Sequence, residues 1–359
     1  MLFKNCHRMK TINAALCSFG MSGKLFHAPF ISCHPGINLY AIWERSKDVV
    51  RDYYPETKIY RTYEQLLDDP LIDLVVVNTP SYTHFEYAKQ ALNAEKNVIV
   101  EKPFTATLSQ AKELTALAAD KKVKLSVFQN RRWDSDFKTV KSICESGILG
   151  EILEAEFHYD RFNLALSPKA HKETPGAAVG IVYDLGPHLM DQALFLFGMP
   201  DKVFADIMKI RPGSQVDDYF EILLFYPHLR VRLKSGYHYR EPIPSFVLYG
   251  SHGTFQKNRA DIQETDLLSG KKPDSLEWGI EPDIAQGFIH TEKDGLVIKE
   301  HVPSLQGNYM EYYDAVYQSM ISNADLPVTG YDGVNSTTVI EAAYKSAAEQ
   351  KIIWIADVK

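Results

Sequence analysis

A lysine, an aspartate and a histidine carry most of the chemistry open to this chain. Lys102 lies in Glu101-Lys102-Pro103, directly behind the apolar run Asn97-Val98-Ile99-Val100. In a partly desolvated cleft at the mouth of a sheet, such a lysine can hydrogen-bond an alcohol and help remove its proton. Asp184 and His188 stand four residues apart in Tyr183-Asp184-Leu185-Gly186-Pro187-His188, so one helical turn places both on the same face. Gly186 and Pro187 mark the entry to that helix, proline being suited to its first position. An imidazole beside a carboxylate can serve as general base toward a hydroxyl near neutral pH. The plainer readings are a surface lysine in a turn and a hydrogen-bonded core histidine. Asp184, His188 and Asp191 could also ligate a metal, but no further ligand cluster accompanies them, and no metal is expected.

The partner for this chemistry is signalled upstream, in Ser18-Phe19-Gly20-Met21-Ser22-Gly23. A glycine-rich turn joining strand to helix lets the backbone approach a pyrophosphate held at the helix N-terminus. Gly20 and Gly23 take the second and third glycine positions of that fingerprint, and Ser18 takes the first. An acidic residue, Glu44, follows roughly 20 residues on, as a dinucleotide fingerprint requires. A carboxylate there accepts both ribose hydroxyls and repels a 2′-phosphate, whereas Arg45 with Ser46 and Lys47 would bind that phosphate. Both signals are present, so the cofactor reads as NAD or NADP. Turn, lysine and Asp/His pair, in this order, describe a nicotinamide-dependent alcohol dehydrogenase without metal.

These residues need elements to hold them. Residues 12–17, 39–43, 74–78, 98–100 and 124–128 read as strands, and 23–32, 63–67, 83–94 and 108–121 as helices. Such alternation implies crossover connections and a parallel, doubly wound Rossmann sheet. Ligands of such sheets bind at the strands' carboxyl ends, where the turn, residues 43–47, Thr79, Pro80, His84, Glu101 and Lys102 all fall. Beyond a helix at 135–146, strand-like runs at 152–159, 203–210, 219–225, 229–235 and 246–250 are largely alternating, with hairpin-compatible connections. They predict an α+β second domain with a large open, mostly antiparallel sheet, the 184–197 helix on one side. The expected division is 1–127 for the dinucleotide domain and 128–359 for substrate and oligomer contacts. A helix at 334–349 is expected at the junction, and 256–310 reads as loops and irregular strands.

The bulk numbers bound the function. A chain of 359 residues has room for about two domains of ~150 residues. Its net charge of −7 argues against nucleic acid or an anionic membrane as partner. No apolar run approaches the ~20 residues of a membrane span, and no signal-peptide pattern follows the charged first ten residues, where Met9 is an alternative start. Cys6, Cys17, Cys33 and Cys144 show neither Cys-x-x-Cys nor zinc spacing, which fits reduced thiols in a cytoplasmic enzyme. An open sheet leaves a face or edge uncovered, so a homo-oligomer (dimer or tetramer) is expected there.

The chain resembles the Gfo/Idh/MocA family of NAD(P)-dependent oxidoreductases over essentially its whole length. The resemblance rests on Gly20-Met21-Ser22-Gly23, Asn78-Thr79-Pro80, Glu101-Lys102-Pro103, Gln129-Asn130-Arg131-Arg132-Trp133-Asp134, residues 184–192 and Leu196-Phe197-Gly198-Met199-Pro200. Residues 129–134 and 183–192 are most similar to the scyllo-inositol dehydrogenase branch, whose members favour NADP. The resemblance implies that Lys102 is the catalytic lysine, Asp184 the aspartate that holds substrate and His188 the catalytic histidine. Two positions depart from it: Ser18 replaces a glycine, and Glu44 stands where NADP-preferring relatives tend to be uncharged. A small polyol or sugar is the implied substrate, and hydroxyl-rich substrates need hydrogen-bond forks and stacking faces. Arg131, Arg132, Trp133, Tyr159, Arg161 and Tyr239 are the candidates. Two other readings are a glycosidase with a retained NAD and a non-catalytic dinucleotide sensor; loss of Lys102 or His188 would mark the latter, and both are present.

Overall fold

The computed structural model describes residues 10–358; Cys6 and Met9 lie outside the described residues. Six strands form the first sheet: β1 (Ile12–Leu16), β2 (Ile37–Trp43), β3 (Lys58–Tyr60), β4 (Leu74–Val77), β5 (Asn97–Glu101) and β6 (Leu125–Phe128). Their order is β3-β2-β1-β4-β5-β6, with every pairing parallel. β4 and β6 are buried along their whole length, as expected for strands covered on both faces. The order reverses between β1 and β4, and a crevice opens there at the carboxyl ends. Pairing of Leu16 with Ile42 sets the glycine-rich turn after β1 beside Glu44 after β2. The three-residue β3 is too short to show a period and was not expected.

Nine strands form the second sheet: β7 (Ile152–Asp160), β8 (Lys202–Met208), β9 (Tyr219–Phe225), β10 (Arg230–Gly236), β11 (Phe246–Gly250), β12 (Gly253–Lys257), β13 (Gly287–Lys293), β14 (Leu296–Val302) and β15 (Ile353–Trp354). The order is β14-β13-β12-β11-β7-β10-β9-β8-β15. Only β7 and β10 pair in parallel; the other neighbours are antiparallel. Alternation along β8 and β9 sends Val203, Ala205, Ile222 and Leu224 into a core with Leu189, Met190 and Ala193 of the helix Gly186–Phe197. The opposite face carries Phe204, Met208 and Tyr249, each 40% exposed or more.

Two late helices join the halves. Met310–Ser322 returns to the first sheet and buries Tyr312, Tyr313, Val316 and Tyr317 in its core. Gly330–Glu349 opens with a reciprocal Thr329/Asp332 capping box, a device worth about 1 kcal/mol per cap. It packs between the helix Leu108–Lys121 and strand β8. Polar ties reinforce the contact: Leu108 N–H donates to Glu341 at 2.6 Å, Tyr183 hydroxyl to Ala106 O at 2.8 Å, and Ser126 hydroxyl to Val328 O at 2.7 Å.

Candidate active site

The turn after β1 is held shut by Asn78, the residue after β4. Ser18 N–H donates to Asn78 Oδ1, Asn78 Nδ2 donates back to Ser18 O, and Ser18 hydroxyl donates to Asn78 O, all at 2.9 Å. Ser18 therefore closes the turn with its side chain where the fingerprint has glycine. Gly23 shows why a glycine is needed in the helix that follows: a Cβ there would lie 2.4 Å from Ser18 O. The helix starts with a wide π-turn, Gly23–His27, and continues as Ala28–Cys33. Such close packing of helix on strand is the third glycine's part in a dinucleotide cradle, so the turn fits a dinucleotide.

Glu101, at the end of β5, is committed to protein donors. Its carboxylate accepts from Ser22 hydroxyl, from His27 Nε2 at 3.0 Å and from Lys102 N–H at 3.1 Å. It thus ties the cofactor turn to the lysine, rather than lying open to a ligand. His84 makes a parallel tie, its two ring nitrogens 2.8 Å from Pro103 O and 2.9 Å from Thr79 O. Burial holds that imidazole below its usual pKa, although both carbonyls pull the other way.

Lys102 Nζ reaches across the cleft to the other half. It donates to Asp184 O at 2.7 Å and lies 3.3 Å from Asp184 Oδ1. Asp184 ends a short helix, Ile181–Asp184, capped by Asp217, whose carboxylate accepts from Val182 N–H at 2.9 Å. Gly180, at φ +105°, allows this approach, since a Cβ would meet Asp217 Oδ1 at 2.2 Å. Burial pushes the Asp184 carboxyl up, but Lys102, Lys172 and Arg161 outweigh it and hold the group well below the usual carboxylate range. His188 follows in the first turn of Gly186–Phe197, 4% exposed. Burial first, then the cations Lys102, Arg131, Arg259 and Arg161, keep its pKa well below the ordinary histidine value. Its Nδ1 is sealed with no hydrogen-bond partner, which leaves Nε2 as the atom that reaches the cleft.

The cleft between these groups has a volume of about 690 Å³. Met21, Ser22, Thr79, Pro80, His84, Glu101 and Lys102 line it from the first half, and Arg131, Asp184 and His188 from the second. A neighbouring hollow of about 880 Å³ lies beyond Tyr183, but its lining includes no histidine. The expected residues outside the cleft lining have identifiable reasons. Phe19 is buried against Tyr53 and Tyr54. Glu44, 9% exposed, turns inward to accept from Val50 N–H at 3.2 Å, while Arg45 and Ser46 stay exposed. Tyr159 lies behind the wall, beneath the guanidinium groups of Arg131, Arg161 and Arg259.

Two substrate candidates are corrected. Arg132 is buried and doubly bonded to Asp191, both distances 2.7 Å, with Asp332 at 2.8 Å; its donors are spent inside the protein. This also removes Asp191 from any grouping with Asp184 and His188. Trp133 packs edge-on against Tyr312, ring centroids 5.5 Å apart, and does not line the cleft. Conversely, the cleft wall includes Arg161, Asn163, Lys172 and Glu173 from the connection between β7 and Asp184, and Arg211 and Tyr237 from the segments that follow β8 and β10. Apart from Arg161, these were not singled out, because an aperiodic connection gives no sign of which side chains turn inward. Among the described residues no group of three or more His, Cys, Asp or Glu is arranged to hold a metal.

Comparison with known proteins places this geometry in context. Residues 12–129 match the model for the oxidoreductase family's NAD-binding Rossmann fold (GFO_IDH_MocA), and residues 141–356 match the model for its C-terminal alpha/beta domain. The scyllo-inositol 2-dehydrogenase (NADP(+)) IolW of Bacillus subtilis is 35% identical over 99% of both chains. The uncharacterized oxidoreductase YdgJ of Escherichia coli is 38% identical over 96% of this chain and 99% of its own. Among solved structures, an oxidoreductase from Bacteroides fragilis superposes with a TM-score of 0.89 at 44% identity, covering 96% of this chain and 100% of that one.

Proposed function

The chain belongs to the Gfo/Idh/MocA family of oxidoreductases, and from that premise we propose that it transfers a hydride between a secondary alcohol of a cyclic polyol or sugar, inositol-like, and NAD or NADP, without a metal. The observation that carries the reading is a buried imidazole with an unpartnered Nδ1 beside an ammonium–carboxylate pair at one end of a dinucleotide-sized cleft. The turn of residues 18–23 would hold the pyrophosphate, and Glu44, Arg45 and Ser46 would flank the adenosine ribose. When bound there, the dinucleotide supplies the hydride acceptor. His188 Nε2 takes the proton of the substrate hydroxyl, as a general base should when its neutral form dominates near neutral pH. Lys102 spends two contacts on Asp184 and has a further N–H to offer the developing alkoxide. Asp184 remains ionised and can accept from a neighbouring substrate hydroxyl, while Arg131 and Arg161 offer donors above it.

The name of IolW supports the polyol class, since that relative aligns across its whole length. The proposal includes the two-domain division near residue 127, a cytoplasmic location and a dimer or tetramer through the open face of the second sheet. Cys17, Cys33 and Cys144 are unpaired, and no described helix is long and apolar enough to cross a membrane. The test is the appearance of reduced cofactor with scyllo-inositol, myo-inositol and glucose, run with NAD and NADP separately. Reduction with one of them supports the reading. Silence with all three, in protein shown to bind both cofactors, refutes a neutral inositol-like substrate. Glycoside turnover without net cofactor reduction would replace the reading by a glycosidase.

A further inference from the structure

Carboxylate partners are shared unevenly among the cations that line the cleft. Glu101 is taken by His27, Glu173 by Arg211, and Arg131 by Asp134 and Glu264. Asp217 accepts from Val182 N–H and Tyr344 hydroxyl, and Asp184 is shared by Lys102 at 3.3 Å and Lys172 at 3.6 Å, with Arg161 acting on the same carboxylate. Among the described residues, Arg161 is the one cleft-lining lysine or arginine with no carboxylate within 4.0 Å.

Arg161 is also held ready. Its N–H donates to Gly236 O and its carbonyl accepts from Tyr239 N–H, both at 3.0 Å, fixing the backbone between β7 and the end of β10. The guanidinium lies over Tyr159, 5.0 Å from the ring centroid, and the residue lines the cleft. A rigid planar fork pairs with a carboxylate through two parallel hydrogen bonds, and a stacked arginine loses little freedom in doing so.

We infer that the substrate carries a carboxylate, gripped by Arg161 with Lys172 beside it, so that the alcohol oxidised at His188 belongs to a polyhydroxy acid such as a uronate or a cyclitol carboxylate. This inference rests on the proposed alcohol oxidation for the reaction, but not for the binding. It narrows the polyol reading to its acidic members, because a neutral substrate would leave the Arg161 guanidinium without an anionic partner.

Binding separates the two proposals. The full-length protein, saturated with reduced cofactor, is titrated with matched pairs: glucuronate against glucose, galacturonate against galactose, and quinate against myo-inositol. Quenching of cofactor fluorescence reports occupancy. At least one acid should bind about tenfold or more tightly than its neutral partner, the ratio expected for one charge-assisted pair. In Arg161→Ala that ratio should fall to about one; Arg161→Lys, which keeps the charge but not the fork, should recover only part of it. Retained cofactor binding shows that each variant is folded. If no acid outbinds its partner, or if Arg161→Ala weakens acid and neutral sugar equally, the inference is overturned. If an acid binds through Arg161 and no hydride moves with either cofactor, the carboxylate site stands and the proposed reaction falls.

Discussion

Replacing Arg132 by alanine tests whether that residue belongs to the substrate or to the fold. Its guanidinium is 5% exposed and meets Asp191, 3% exposed, through two bonds of 2.7 Å. A third bond reaches Asp332, which also caps the helix Gly330–Glu349. Truncation leaves Asp191 buried without its cation, and breaking one end of a buried pair costs about 3–5 kcal/mol. At roughly 2–4 °C per kcal/mol for domains of this size, the melting temperature should fall by roughly 6–20 °C. Part of the cost is returned when Asp191 takes a proton. Its carboxyl is already held above the usual range by burial, with Arg132 pulling the other way. Arg132→Met combined with Asp191→Leu should destabilise less than either single change, because it leaves no orphaned partner at that pair. Thermal melts give the first quantity and Michaelis constants, taken well below the melt, the second. A normal melt with a KM raised tenfold would falsify the structural role and return Arg132 to the substrate.

Three further outcomes follow from the same geometry. Gly23→Ala drives a methyl into Ser18 O; overpacking of about 1–3 kcal/mol should appear as a lowered melt, with cofactor dissociation raised at least about tenfold, and unchanged binding would refute the cradle. The His188 imidazole is held neutral, so the acid limb of kcat/KM for alcohol oxidation should lie below the ordinary histidine value of about 6.5. The sign is that of a base whose lowered pKa keeps it competent as pH falls; a limb at or above that value counts against His188. Because Glu44 turns inward and Arg45 is exposed, NADP should be preferred. Arg45→Ala should then lower kcat/KM for NADP about tenfold with a smaller effect on NAD; equal losses with both would remove Arg45 from phosphate recognition.

The first sheet could be read almost strand by strand because its strands are buried on both faces and so are continuously apolar, while its helices carry the 3.6-residue period. Lys58–Tyr60 escaped because three residues carry no period. In the second sheet, β14 runs along an edge with mostly exposed residues, so alternation barely marks it within the irregular-looking stretch 256–310. Helix Met310–Ser322 was hidden by its aromatic content: Tyr312, Tyr313 and Tyr317 are weak helix formers whose place is decided by packing on the first sheet. The last helix was started late because Gly330 and Gly333 sit in its first turn, where the Thr329 cap sustains it. At the site, Lys102, Asp184 and His188 were legible since each sits at a strand end or helix start marked by glycine or proline. Arg131 and Arg132 could not be told apart from sequence. Neighbours on a short turn point in different directions, and only the distant Asp191 and Asp332 decide which one is drawn inward.

The proposed reacting groups come from different halves, so their spacing depends on the junction more than on either sheet. Lys102 bonds the main-chain oxygen of Asp184 more closely than its carboxylate, 2.7 against 3.3 Å. The lysine is thus anchored to backbone that Gly180 and Asp217 fix, and its position does not depend on the charge of the side chain beside it. On the other flank, the bonds from Leu108 to Glu341 and from Tyr183 to Ala106 hold the two halves at a set separation. Position is therefore supplied by short hydrogen bonds that each engage a main-chain atom, and charge by groups that remain partly free: Asp184, Lys172 and Arg161. Substrate can redistribute that charge without moving the frame, which is what transition-state stabilisation by preorganised groups requires. On the proposed reading, the same division has the motifs around Lys102 and His188 carry the reaction and leaves substrate choice to Arg161 and Lys172, on an aperiodic segment.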